Sequence, residues 1–369
     1  MHKLTFFPLG NADCCLIELE DKRKILFDYA HCKVAEDEDD LRSDLFSLLQ
    51  ENLKKEKRDY FDIVAFTHAD EDHISNFSEF FFLEHAQKYQ DDKRIKIKEL
   101  WVPAAVIIEE DIPEEAKILR AEARYRLKKG KGIRVFSAPD TLKSWFESEK
   151  IKYEERKDLI TNAGQTVPGF DKTTGNVEIF VHSPFAIHSE DEKLVDRNQA
   201  SLVMQIIFSC DGQDTKFILS GDTECDVWKD IVKVTKYHKR EERLNWDIVK
   251  LPHHCSYKSL SAEVGKEKTV PEEEINWLFE QGNEKGIIVS TSDIIPSNDQ
   301  EQPPHRQAAN YYKEIASKIN GEFIVTMEHP QKTNPKPLVI SIDKFKATIA
   351  KTNIVGGAAI ISRAAPRAG

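Results

Sequence analysis

The sequence predicts an α+β fold in which two half-sheets are sandwiched between helices. Three observations predict it. A run of short strands opens the chain, an apolar strand at 61–66 (FDIVAF) runs straight into a polar loop, and strands alternating with helices resume between residues 177 and 326.

Residues 3–8 (KLTFFP), 14–19 (CCLIEL) and 24–29 (KILFDY) read as an N-terminal meander broken by turn signals at Gly10-Asn11 and Asp21-Lys22. Leu41, Leu45, Leu48, Leu49 and Leu53 fall at helical spacing and predict an amphipathic helix over Asp40–Lys54. The nearly continuous apolar run at 61–66 suits a strand covered on both faces. After the loop THADEDHIS, Ile74–Tyr89 reads as helix and Lys96–Val102 as strand. Residues 107–150 hold two charged helical stretches around the strand GIRVFSA, and their polarity suggests an insertion or surface cap rather than a second core. Strands follow at Val177–His182, Ser201–Phe208, Lys216–Ser220, Asp247–Leu251, Gly286–Ser290 and Glu322–Thr326, with helices at Cys225–Val234 and Gln307–Lys318. The small, polar C-terminus, GGAAIISRAAPRAG, reads as a flexible tail.

Composition narrows the function. A chain of 369 residues, 40% hydrophobic and 32% charged, is an ordinary globular protein. Its apolar runs, such as Leu202–Phe208, are far shorter than the roughly 20 residues a membrane span needs. The N-terminus has no extended apolar signal region, so the chain is expected to be cytoplasmic and complete in itself. Six cysteines without CxxC spacing point to reduced thiols. A net charge of −11 argues against nonspecific wrapping of nucleic acid, although KRIKIK (Lys93–Lys98) and KKGKGIR (Lys128–Arg134) are local basic runs.

Three strand ends carry the chemistry. His68, Asp70, Asp72 and His73 crowd the loop after FDIVAF, where side chains converge without belonging to the core. Imidazole and carboxylate at this density are ligands for divalent ions such as Zn²⁺ or Mn²⁺. The same stretch also reads as a solvated acidic turn in which Asp72 and Ser75 cap a helix. Ser220-Gly221-Asp222 then places a carboxylate at a second strand end, and Pro252-His253-His254-Cys255-Ser256 places two histidines at a third. Ligands at three separate strand ends imply one shared metal centre.

The order HxDxDH, then Gly-Asp, then Pro-His-His-x-Ser resembles the metallo-β-lactamase superfamily, in particular the lactamase-like domain of ComEC-type DNA-uptake proteins. That subgroup carries aspartate at the second motif position, as Asp70 does here. It also has an early Gly-x-Gly-Asp turn, an "iDaG" strand and an Asn-x-x-Ser-Leu-Val stretch. These are matched by Gly10-Asn11-Ala12-Asp13, Phe27-Asp28-Tyr29-Ala30 and Asn198-Gln199-Ala200-Ser201-Leu202-Val203. The chain departs from the pattern where Asn198 replaces a common histidine ligand, where Cys255 replaces glycine in HHGS, and where Ala12 and Ala30 stand for glycine. Cys255 is thereby either a tolerated small residue or a thiolate ligand.

The resemblance spans roughly residues 3–345. It implies a four-layer αββα metallo-β-lactamase sandwich over 1–350, with a helical insertion at about 80–175 and the tail at 351–369. It implies two divalent ions, Zn or Mn: His68 and Asp70 on one, Asp72 and His73 on the other, Asp222 bridging and His254 completing the second site. Asp72 and His254 would share the catalysis with His305, in QPPHRQ, as donor to a leaving oxygen. Asn198, His253, Ser256 and Tyr257 are expected to contact substrate or support the ligands. Such a centre, with ions about 3.5–4 Å apart, presents an acidified water as hydroxide and stabilises charge on the attacked and leaving oxygens. Anionic Asp70 in place of an imidazole shifts preference from Zn²⁺ towards Mn²⁺ and suits phosphodiesters.

The function implied is a metal-dependent phosphodiesterase, a nuclease first and a phosphodiesterase for small or cyclic nucleotides second, with nucleic acid or nucleotide as substrate and no membrane. From a different class, a catalytically weak lactamase fold serving as a binding module also accommodates Asn198 and Cys255. Lactam hydrolysis ranks low without an export signal. A nuclease predicts a basic groove to the metals, built from Lys96, Lys98, Lys128, Lys129, Lys131 and Lys258. A small-nucleotide enzyme predicts a closed pocket with a stacking residue, for which Tyr257 is placed.

Overall fold

The computed structural model describes residues 1–34, 37, 39–110, 112–186 and 200–351. Asn198 and the tail beyond 351 lie outside the described residues.

The N-terminal meander forms as expected, as β1 (His2–Phe6), β2 (Cys15–Glu18) and β3 (Lys24–Phe27). Helix α1 (Leu45–Lys55) starts five residues later than its leucine pattern suggested. Asp44 caps it by accepting from Ser47 N at 3.0 Å, whereas Asp40 is engaged outside the helix by Arg42 and by Val34 N. Next come β4 (Tyr60–Ala65), α2 (Glu71–Ile74) and α3 (Phe77–Phe80). The single helix expected over Ile74–Tyr89 is thus broken. Asn76 is left-handed at φ 59°, and Phe81 pairs with Ile95. The aromatic spacing that mimicked a helix instead packs Phe77 on Phe66 and Phe80 on Tyr29 and Phe46.

The chain continues through β5 (Lys96–Pro103), α4 (Ala104–Ile108), α5 (Glu114–Lys129), β6 (Ile133–Phe136), α6 (Asp140–Ser148) and β7 (Ile160–Thr161). It then runs through β8 (Val177–Ser183), β9 (Val203–Cys210), β10 (Gln213–Ser220), α7 (Cys225–Tyr237) and β11 (Trp246–Lys250). The last elements are α8 (Glu273–Phe279), β12 (Gly282–Ser290), α9 (Arg306–Lys318), β13 (Glu322–Val325), β14 (Leu338–Asp343) and β15 (Lys346–Ile349).

Two sheets result, ordered β15-β14-β1-β2-β3-β4-β5-β6-β7 and β13-β12-β11-β10-β9-β8. Alternation along each strand then builds the layers. In β4, Ile63 and Ala65 face the second sheet, in one cluster with Met204, Phe217 and Ile248; Val64 faces outward onto Leu49 of α1 and Leu119 of α5. In the second sheet, Ile218, Val249 and Ile288 face outward onto Trp228 of α7, Phe279 of α8 and Tyr312 of α9. The order is helix, sheet, sheet, helix. Each large apolar side chain buried in these layers contributes roughly 1.5–3 kcal/mol, so the sandwich is held by its faces rather than by its loops.

The polar stretch at 107–150 is built into the first layer. Its strand β6 continues the first sheet between β5 and β7, and Ala116, Leu119, Leu127, Leu142 and Phe146 join the apolar layer over it. The charge that made it look peripheral lies mostly on the outer side of those helices, but Glu122 and Arg126 of α5 are buried and paired with each other.

Candidate metal centre

Strands β3 to β7 run parallel, as do β10 to β13, so their C-terminal ends and the loops that leave them gather along one edge of the sandwich. Thr67–His73 follows β4, Asp222 follows β10, and His253 and His254 follow β11. The ligand atoms of His68, Asp72 and His73 lie within 4.8 Å of one another, and so do those of Asp13, His73, Asp222 and His254. His73 belongs to both groups.

Hydrogen bonds decide which imidazole nitrogen faces inward. His73 donates Nδ1–H to Asp28 Oδ2 at 2.9 Å, leaving Nε2 3.1 Å from Asp222 Oδ1. His254 donates Nδ1–H to the Thr291 carbonyl at 2.7 Å, leaving Nε2 3.0 Å from Asp72 Oδ2 and 3.5 Å from Asp222 Oδ2. His68 sets Nδ1 3.1 Å from Thr67 Oγ1, and its buried Nε2 has no hydrogen-bond partner. Three imidazoles tied at Nδ1 and turned inward at Nε2 are the arrangement that metal-ligating histidines adopt.

The electrostatics agree. Burial alone would lower the His254 pKa, but Asp222 and Asp72 raise it to about 9, and Asp222 and Asp28 raise that of His73 well above the ordinary imidazole value. Burial opposes ionisation of Asp72 and Asp222, yet the neighbouring imidazoles hold both carboxyls below the usual range. Divalent ions bound here would displace the imidazole protons and compensate the same carboxylates. The donor set fits such ions.

Thr67 is the hub behind the ligands. Its amide and hydroxyl donate to the two oxygens of Asp28 at 2.7 and 2.8 Å, and its Oγ1 also approaches His73 Nδ1 at 3.2 Å. Gly221 passes so close that a Cβ there would sit 2.7 Å from Thr67 Oγ1. Only glycine lets the strand end carrying Asp222 reach the loop carrying the histidines.

The structure groups Asp72 with both His68 and His73, whereas the sequence assigned it to the second ion. Asp70 is at the rim, with a side chain 31% exposed and Oδ2 3.6 Å from His68 Nε2. His253 is partly exposed, with Nδ1 3.9 Å from Glu224 Oε1. Ser256 is buried and accepts from Lys258 N, so it shapes the turn. Tyr257 is half-buried, edge-on to His305. His305 stands behind the loop rather than among the carboxylates. Its Nδ1 accepts from Tyr257 N at 3.4 Å, its Nε2 faces the Glu301 carbonyl, and its own amide donates to the Cys255 carbonyl at 3.1 Å.

His253, His254 and Cys255 are all left-handed, at φ 48°, 49° and 66°. Cys255 therefore occupies a conformation that favours glycine. Its thiol is buried in the outer apolar layer with Leu260 and Tyr312, and burial pushes its pKa up to about 12, which places it away from the ligand cluster.

The expected basic groove does not lead here. Lys96 and Lys98 begin β5, level with the start of β4, and so lie roughly 20 Å along the strand from the metal loop. They pair with Asp59 and Asp62, and Lys128 and Lys129 pair with Glu149 and Glu84. Lys131, in the turn before β6, is at that same N-terminal edge. Of the six, Lys258 alone is near the centre, 54% exposed and 4.0 Å from Glu224.

Sequence reasoning gave no role to Asp13, Asp28, Thr67, Lys250 or Thr291. Asp13 and Asp28 did stand in quoted motifs, but nothing in a linear sequence aims them at His73.

No family model and no curated protein matches the chain. Among solved structures it is similar, at 12% identity, to the metallo-β-lactamase fold protein YhfI from Bacillus subtilis, with a TM-score of 0.41 over 92% of this chain and 99% of that one. It is also similar to yeast PDE1, with 12% identity, a TM-score of 0.42, and 88% and 96% covered. A third is the class B3 di-zinc metallo-β-lactamase LRA-12 from an Alaskan soil metagenome, with 12% identity, a TM-score of 0.31, and 86% and 91% covered. Likeness at this level concerns overall fold, and no residue role is carried over from it. Among the described residues no helix is long and apolar enough to cross a membrane.

Proposed function

We propose that this chain is a metal-dependent phosphoester hydrolase acting on small nucleotides, with residues 1–350 forming one domain. One observation carries the reading: three imidazole Nε2 atoms and the carboxylates of Asp72 and Asp222, brought from both sheets, face one another in a buried cluster. His68 and Asp72 would hold one divalent ion, with Asp70 at its rim, and His73, Asp222 and His254 the other, each imidazole serving a single ion through its Nε2. When bound, such ions supply Lewis acidity towards a water molecule and a phosphoryl oxygen.

The protein's own groups prepare that chemistry. Asp28 and the Thr291 carbonyl fix the tautomers of His73 and His254, so that no ligand must reorient when substrate arrives. Lys258 and His253 stand at the rim, where a phosphate would be met by charge and by a hydrogen-bond donor. Tyr257 offers a ring for a base. His305 positions this loop from behind.

The charge distribution favours a small substrate over a polymer. Four of the six lysines expected to line a groove are neutralised by acidic partners at the N-terminal edge, and the rim itself carries Asp70 and Glu224. A long polyanion needs several unpaired cations in a row.

The test is hydrolysis of cyclic nucleotides, single- and double-stranded DNA and RNA with Mn²⁺, Zn²⁺ or Mg²⁺, comparing the natural chain with Asp72→Ala. Metal-dependent cleavage of cyclic nucleotides that disappears in the variant is expected. Cleavage of polymer instead would restore the nuclease reading, and no turnover with any metal would leave a binding module.

A further inference from the structure

Lys250 ends β11 with its ammonium inside the protein. Its side chain is 3% exposed, it pairs with Asp13, itself 2% exposed, and it donates to the Ser220 carbonyl at 2.9 Å. Asp13 in turn sits against the ligands. Its Oδ2 is 3.7 Å from His73 Nδ1, its amide donates to the Asp72 carbonyl at 2.9 Å, and its carboxylate shares a 4.8 Å cluster with His73, Asp222 and His254.

A lysine is seldom buried without a reason, because an ammonium loses strong hydration that one carboxylate replaces only in good geometry. Here the partner is a carboxylate close enough to the centre to serve as a ligand. The local charge is also telling. Asp13, Asp28, Asp70, Asp72 and Asp222 bring five negative charges, which two divalent ions together with the Lys250 ammonium would balance. The pair thus completes a neutral centre.

We infer that Asp13 is a carboxylate of the metal centre whose charge is set by Lys250: the ion pair holds Asp13 back from the ions and fixes how tightly they are bound. This rests on the metal-dependent reading above. Asp13 and Lys250 are positioning residues, and their signature is the sign of the change each produces. Removing the ammonium frees a carboxylate for the ions, whereas removing the carboxylate leaves an ammonium that repels them.

The experiment is titration of the full chain with Zn²⁺ against a chelating dye and with Mn²⁺ by electron paramagnetic resonance, with thermal melts as a folding control. Relative to the natural chain, Asp13→Asn is expected to bind about 10- to 100-fold more weakly. Lys250→Met is expected to bind at least as tightly as the natural chain, and the double variant to recover most of what Asp13→Asn loses. Should Lys250→Met fail to fold, the double variant buries neither charge alone and decides the question against Asp13→Asn. A pair that only clamps β11 to the 11–13 turn predicts a double variant no better than Asp13→Asn, or single variants that weaken binding alike. Either result overturns the inference. A natural chain that takes up neither ion removes the metal reading itself, which is distinguishable from a chain that binds and whose variants do not differ.

Discussion

Replacing Gly221 by alanine puts a methyl carbon 2.7 Å from Thr67 Oγ1, 2.8 Å from Thr67 Cβ and 3.1 Å from Ser201 Oγ. Carbon atoms make favourable contact at about 3.5–4.0 Å, so the two segments must part by roughly 0.7 Å or more. Neither yields cheaply. Thr67 is held by both oxygens of Asp28, and Leu202 N bonds the Thr67 carbonyl at 3.0 Å. Overpacking of this kind costs about 2 kcal/mol. With an unfolding entropy of about 2.1 cal/mol/K per residue over 369 residues, that lowers Tm by about 3 °C. The functional effect should be larger, because the displaced hydroxyl sets the imidazoles of His68 and His73, and disturbing such supports weakens metal binding about 10- to 100-fold. Differential scanning calorimetry and Zn²⁺ titration measure the two effects. A variant with a lowered Tm but undiminished metal affinity would refute the claim that Thr67 and Gly221 position the ligands.

Three further outcomes are expected. Burial depresses the His182 pKa to about 4, with its Nε2–H given to the Arg243 carbonyl at 3.0 Å. Its contribution is therefore complete above pH 6.5 and is lost as pH falls from 6.5 to 4, about 3 kcal/mol in all. Urea unfolding of His182→Gln and the natural chain should converge over that range, and parallel curves would contradict it. Cys255→Gly relieves a left-handed residue worth about 1–2 kcal/mol while losing a buried thiol, so stability should change by less than about 1 kcal/mol with metal retained, by equilibrium dialysis. Lost metal would make the thiol a ligand after all. Reversing the charge of Lys96 and Lys128 should leave hydrolysis unchanged in kcat/KM, whereas Lys258→Glu should reduce it about tenfold or more; equal losses would revive the groove.

What could be read from the sequence follows from how locally it is encoded. The ligand loop was legible because an apolar strand such as FDIVAF must end where polar side chains begin, and three such ends carried His or Asp. The meeting of ligands from different loops was not, since Asp72 approaches His254 across 182 positions of chain. The Ile74–Tyr89 stretch misled because Phe77, Phe80 and Phe81 mimic helical spacing, whereas Asn76 takes a left-handed turn and Phe80 packs on Phe81. The lysine runs misled for another reason. Their charge is visible in one dimension, but which edge of a sheet they occupy depends on strand direction.

The two sheets do not merely flank the cluster; each supplies only part of a chelate. His68, Asp72 and His73 hang from the first sheet, Asp222 and His254 from the second, so the full set of donors exists only once the layers meet. On the proposed metal-dependent reading, metal uptake during refolding would report the closing of the sandwich. A bound ion would then act as a rivet through its seam, beside the apolar contacts, the Asp13–Lys250 pair and the Leu202–Thr67 hydrogen bond that already join the layers.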